Sequence, residues 1–254
     1  MLACIIHKLK VELGPIFYKY KKSIIFFFHA LVYNLVKINF NKIGAKMEKI
    51  TVFYDYSWPF VYNATVWLQY VKYRKKELIL DWRHFQLEKI KNPDESNINW
   101  NDLDLQKSRS LLTAISAEAA KLQGPRLFDL YHSAILDSRH NKQPRLVLNN
   151  LDGLIDIAVE VGLNKNKFVN DINNQNLVNI VEKDHKEAVE RYGVFGTPTL
   201  IFDNNQSVFV KTFIPGNKKD YILFFDYILK VFRDMPFVGE LKRPQPPWPK
   251  GLRK

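Results

Sequence analysis

Apolar positions along this chain change their period several times, and each change marks an element. Lys49–Tyr54 (Lys-Ile-Thr-Val-Phe-Tyr) is β-branched and aromatic, which predicts a strand. Pro59 opens a helix, where its missing N–H costs little. Val61, Ala64, Thr65, Leu68 and Val71 then recur at helical spacing, so this helix has one buried face. Glu77–Phe85 predicts a second strand, and a strand–helix–strand unit of this size is a parallel crossover.

A helical block follows. Ser108–Leu122 is rich in Ala and Leu, Gly124-Pro125 breaks it, and Leu127–Leu136 continues as helix. Leu146–Asp152 leads into a helix over Gly153–Val161, with Gly162 as its C-terminal stop. Lys165–Asn173 and Leu177–Arg191 predict two more helices. Strand character returns over Thr199–Asp203 and Ser207–Phe213, joined at Asn204-Asn205, where tolerance of positive φ fits a hairpin. Asp220–Phe232 is a final amphipathic helix, stopped by Pro236, and Pro244–Pro249 forms an extended, stiff tail. The pattern divides the chain into an α/β core over 47–90 and 192–235, an inserted helical domain over 91–191, a Pro-rich basic tail over 236–254 and an N-terminal extension over 1–46.

Composition adds three constraints. An apolar share of 46%, with 18 Phe, 12 Tyr and 5 Trp, supplies a sizeable core and argues against global disorder. Eight lysines against Glu12 give residues 1–46 a charge of +7, which leaves only +5 of the chain's +12 for the rest. The body is mildly basic and shows no dense basic face with reading residues, so nucleic acid is not an expected partner. Cys4 is the single cysteine, and the six histidines form no closely spaced ligand cluster, so neither a disulfide framework nor a structural metal site is expected.

Three readings compete for residues 1–46, whose apolar run Ser23–Tyr33 follows Lys19, Lys21 and Lys22. Met47 is the natural start and the segment a mistaken extension; or residues 19–38 form a basic, aromatic helix lying on a membrane surface; or the segment is a signal peptide. They rank in that order, because the basic part is long for a signal peptide and no clean small-x-small cleavage site follows it; a membrane span is not expected, since His29 and Asn34 interrupt the run. The corresponding expectation is a cytoplasmic protein, with membrane association through the N-terminal segment as the alternative.

Two segments carry candidate chemistry: Asp55-Tyr56-Ser57-Trp58-Pro59-Phe60-Val61-Tyr62 and Gly193-Val194-Phe195-Gly196-Thr197-Pro198-Thr199-Leu200. Together they resemble the two halves of a thioredoxin-type active site: a strand-to-helix turn that normally reads Cys-Pro-aromatic-Cys, and the cis-proline loop facing it. With the element order, the chain is similar to the DsbA family over about residues 48–235, a thioredoxin fold with an inserted helical domain. Kappa-class glutathione transferases and 2-hydroxychromene-2-carboxylate isomerases share that layout.

The resemblance implies an oxidoreductase whose first cysteine sits at a helix N-terminus, where free N–H groups and the helix dipole stabilise a thiolate. Trp58 and Val61 stand at the two cysteine positions here. Exchange requires a thiolate, so the expectation is a family member without exchange chemistry. The resemblance leaves two functions. One is a glutathione-dependent isomerase or transferase, with glutathione as cosubstrate, no bound cofactor, and Ser57 as the thiol-binding hydroxyl. The other is a non-catalytic module binding an extended peptide or small thiol. Its binding residues would be Trp58, Pro59, Phe60, Tyr62, Phe195, Thr197 and Pro198.

Simpler roles stand beside these. Ser57 suits the N-cap region of the helix beginning at Pro59. Trp58 walls or plugs a pocket, or packs under the Pro-rich tail. His84 carries protons at the site or is a hydrogen-bonded structural histidine. Lys89 and Lys91 meet a ligand carboxylate or only solubilise the surface. Arg139 with His140 and Asp184 with His185 are expected on solvated or capping positions, and Trp248 is a partner motif or a cover for the chain's own surface.

Overall fold

A computed structural model describes residues 47–91, 100 and 108–242. The described chain runs β1 (Glu48–Tyr54), α1 (Pro59–Arg74), β2 (Leu78–His84), α2 (Leu87–Lys91), α3 (Leu111–Lys121), α4 (Pro125–His140), α5 (Leu151–Glu160), α6 (Lys165–Ile172), α7 (Gln175–Glu190), β3 (Thr199–Ile201), β4 (Ser207–Phe209) and α8 (Lys218–Ile228), which ends in a π-helical turn over Leu229–Arg233. The strands form one sheet in the order β2-β1-β3-β4. β1 and β2 are parallel, joined by α1, while β3 pairs antiparallel with both β1 and β4.

Alternation along β1 splits the interior into two cores. Ile50, Val52 and Tyr54 face the main core with Trp67, Leu68, Trp82 and the helical block, whereas Phe53 joins Phe85, Ala188, Val194 and Ile201 on the other face. A central strand buried on both faces needs apolar residues at nearly every position, which is what residues 50–54 supply. α1 packs on α4 and α8, α3 on α4, α6 and α7, and α7 also covers β2.

Some boundaries differ from the pattern. β3 and β4 end at Ile201 and Phe209 rather than at Asp203 and Phe213, although Val210 N–H still donates to the Pro198 carbonyl at 2.9 Å. Pro125 does not merely break a helix but opens α4, after Gly124 turns the chain at φ 108°. α4 then runs through His140, four residues beyond the expected end. The short helix α2 has too few residues for a periodic signal. At the β3–β4 turn Asn205 adopts φ 63°, the conformation that favours Asn there.

Candidate functional site

β1 ends at Tyr54 and the chain turns through Asp55-Tyr56-Ser57-Trp58 into α1. Asp55 builds this turn. Its carbonyl accepts from Trp58 N–H at 3.1 Å, and its carboxylate accepts from Ser57 N–H at 2.7 Å and from Leu87 N–H, at the start of α2, at 2.8 Å. The carboxylate is almost fully buried, and burial raises its pKa against the pull of the Leu87 and Ser57 hydrogen bonds. Asp55 belonged to the segment that drew attention in the sequence, yet nothing there marked it as the tie between turn and α2. The one available signal was an acidic residue directly after a predicted strand and before a helix-opening proline.

The helix cap is Trp58 rather than Ser57, and no side chain caps the first turn. Trp58 is half-buried, with its ring 5.9 Å from that of Phe60; Phe60 lies 6.2 Å from Phe213 and takes the Lys211 ammonium over its face at 4.8 Å. Val61, at the second cysteine position, is fully buried in the main core. No cysteine occurs between Asp55 and Tyr62, and Cys4 lies outside the described residues.

The second segment meets the first at one end of the sheet. Phe53 pairs with Thr199 in the antiparallel β1–β3 ladder, so the segment after Tyr54 and the segment before Thr199 leave the sheet at the same end. The Thr197–Pro198 peptide bond is cis. Thr197 is buried, and its hydroxyl has no hydrogen-bond partner among the described residues. Phe195 stands 70% exposed, with its ring 5.2 Å from Phe209. Gly196 lets the chain pass close to Phe209, since a Cβ there would come 3.1 Å from the ring, which would have to shift by a few tenths of an ångström.

The structure thus brings Ser57, Trp58, Pro59, Phe60, Thr197, Pro198 and Phe195 to one sheet end. Tyr62 instead engages the helical block: its hydroxyl donates to Asp137 of α4 at 3.2 Å. One turn farther along α4, His140 does not sit on a solvated position. Its Nε2 donates to the Tyr56 carbonyl at 2.8 Å, so α4 also holds the turn. Arg139 donates to the Leu146 carbonyl at 2.8 Å.

Behind the turn lies a buried polar network. Tyr56 and Thr65 hydroxyls flank the two ring nitrogens of His132 at 3.0 and 3.3 Å, and burial, then the Lys121 and His84 charges, push His132 well below the usual histidine pKa. His84 is buried and bonds Glu118 at 2.7 Å, which makes it a structural histidine rather than a solvent-facing proton carrier. Lys121 reaches both Glu118 and the Trp82 carbonyl, at 2.5 and 2.6 Å. Asp184 is buried and accepts from His84 N–H at 3.1 Å, and His185 accepts from Gln86 N–H at 3.2 Å, so both leave the solvated face expected of them. Lys89 lies 5.6 Å from the Trp100 ring. The side chain of Lys91, Trp248 and residues 19–38 lie outside the described residues.

A family model for a DSBA-like thioredoxin domain matches residues 49–220. The chain belongs to the DSBA-like thioredoxin family. No curated protein matches it by sequence. Among solved structures, it is similar to a 2-hydroxychromene-2-carboxylate isomerase at 13% identity and a TM-score of 0.53, over 76% of this chain and 100% of the other. It is likewise similar to a probable DsbA oxidoreductase from Streptomyces coelicolor, at 16% identity and 0.50 over 80% and 97% of the two chains. A third similar structure, the thiol-disulfide exchange protein alpha-DsbA2 from Wolbachia pipientis, stands at 16% and 0.50 over 72% and 82%. At these identities the likeness is one of fold. Within the DSBA-like family this chain departs at the turn, where Trp58 and Val61 occupy the cysteine positions. Among the described residues no helix is long and apolar enough to cross a membrane.

Proposed function

We propose that this DSBA-like protein binds an extended peptide segment beside cis-Pro198 and carries out no thiol–disulfide exchange. The observation that carries the reading is the pairing of a sulfur-free helix start with an exposed aromatic at the proline loop. Exchange needs a thiolate at the helix N-terminus, and Trp58 and the core residue Val61 stand there. Phe195, largely exposed, together with the half-buried Trp58 and Phe209, offers apolar surface at the end of the sheet where an extended segment can align.

A second reading, glutathione-dependent isomerase or transferase chemistry, draws support from the uncapped first turn of α1. Pro59 has no N–H and the Val61 N–H is bonded to the Trp58 carbonyl at 3.0 Å, so the Phe60 N–H and the helix dipole are what would favour an anionic sulfur there. The site weighs against Ser57 as its ligand, because the Ser57 N–H is already given to Asp55 and the hydroxyl interacts with that same carboxylate.

Thermal-shift titration of the full chain separates the two. Reduced, carboxymethylated insulin B chain, an unstructured peptide without free thiols, raises the melting temperature under the first reading, and a ligand at about 100 times its Kd adds about 2.7 kcal/mol. Stabilisation by millimolar glutathione but not by the peptide supports the second reading and defeats the first.

A further inference from the structure

The helical block carries another cleft, which shares no lining residue with the cis-proline edge. It has a volume of about 660 Å³ and lies between α3, the start of α5 and the α6–α7 junction. Its floor is apolar, formed by Leu112, Ile115, Ile172 and Val178. Among the described residues its rim holds five carboxamides, Asn150, Asn173 and Asn174 among them, and one charge, Asp152.

The hydrogen-bonding state of these amides is specific. Asn173 uses its amino group on the Val169 carbonyl at 3.0 Å, which leaves its oxygen as an acceptor. Asn174 uses its oxygen on Asn176 N–H at 3.0 Å, which leaves its amino group as a donor. Asn150 occupies the N-cap of α5 without capping it, and among the described residues both halves of its amide remain available. Adjacent side chains therefore offer one acceptor and one donor, the complement of a peptide unit with its single N–H and C=O.

Other ligand classes fit less well. Among the described residues the lining contains no aromatic ring on which a sugar or base would stack, and no Lys or Arg to hold a phosphate or carboxylate. Asp152 disfavours anions and favours a cationic or neutral occupant. The volume lies in the range of small-ligand sites, and the floor matches an apolar side chain projecting from an extended backbone.

We propose that this cleft binds a short extended peptide of neutral or positive charge, with its backbone read by the carboxamides of Asn150, Asn173 and Asn174 and an apolar side chain on the floor. The proposal is independent of the function assigned to the cis-proline edge. Amide chemical-shift mapping of the full chain, titrated with acetyl-Ala-Leu-Lys-Leu-Ala-amide to about 5 mM, a weak-affinity regime, tests it.

Expected shifts cluster at residues 112–115, 149–152 and 172–178. Asn150→Ala, which removes an exposed side chain that makes no hydrogen bond among the described residues, is expected to weaken binding about 5-fold. The same peptide N-methylated at both Leu residues is expected to bind at least about 5-fold more weakly, and the peptide with Glu in place of Lys about 3-fold more weakly. The proposal is overturned by absence of shifts in the cleft, by equal binding of the N-methylated peptide, or by cleft shifts produced by maltose or inorganic phosphate instead of the peptide. Shifts confined to residues 57–60 and 195–198 also overturn it, while supporting peptide binding at the other edge.

Discussion

Glu118→Gln tests the buried network that joins the helical block to the sheet. Glu118 is 5% exposed and sits between His84 Nε2 at 2.7 Å and Lys121 Nζ at 2.5 Å. Burial alone raises a carboxyl pKa, but the His84 hydrogen bond and charge, with Lys121 behind them, hold Glu118 down to about 2, from an ordinary 4.5. That difference corresponds to about 3 kcal/mol of stability at pH 7, the lower end of what breaking a buried pair costs. Because the folded-state pKa is the depressed one, this stability is complete above the unfolded value of 4.5 and is lost as pH falls toward 2. Urea unfolding of the full chain at pH 7 is therefore expected to show the variant about 3 kcal/mol less stable, with a melting temperature about 6–12 °C lower. The gap is expected to narrow between pH 4.5 and pH 2, as the wild-type carboxylate becomes protonated. A loss below about 1 kcal/mol, or a gap that does not change with pH, would refute the view that an ionised Glu118 holds α3 to β2.

Three further outcomes follow from the site. Asp55→Ala leaves the partly buried Ser57 and Leu87 N–H groups without their acceptor and is expected to cost about 1–3 kcal/mol in urea unfolding; a neutral result contradicts its role in the turn. Thr197→Val removes a buried hydroxyl with no partner among the described residues, so stability is expected to stay level or rise by up to about 1 kcal/mol, and a clear loss would show that the hydroxyl is bonded in solution. Phe195→Ala, at an exposed position, is expected to change stability by less than about 1 kcal/mol yet weaken binding of carboxymethylated insulin B chain at least about 5-fold; unchanged titration curves remove Phe195 from the binding surface.

The core was legible because its signals are local and redundant. The β-branched run before Asp55, Pro59 at a helix start, and the Asn-Asn hairpin turn each point to one backbone conformation. The pairing of Phe53 with Thr199 follows from two short motifs far apart in sequence, which a shared active-site pattern links even though periodicity does not. The network behind the turn was not legible. His84, Glu118, His132 and Asp184 come from β2, α3, α4 and α7, and each alone reads as an ordinary polar residue on an amphipathic helix or strand. Their burial depends on how the helical block docks, which no local pattern encodes. The ties that α4 makes to α1 and to the turn, Asp137 with Tyr62 and His140 with the Tyr56 carbonyl, were hidden for the same reason. Strand ends at Ile201 and Phe209 escaped because β-branched and aromatic residues continue beyond the last ladder pair.

The central question is whether the helix start at Trp58 and the bend at Pro198 form an exchange site emptied of its thiols. Insulin disulfide reduction, measured side by side for the natural chain and for a Cys4→Ser chain also carrying Trp58→Cys and Val61→Cys, answers it most directly. The natural chain is expected to match the protein-free blank while the triple variant turns over. Turnover by the natural chain, or a folded triple variant that stays inert, would contradict the account.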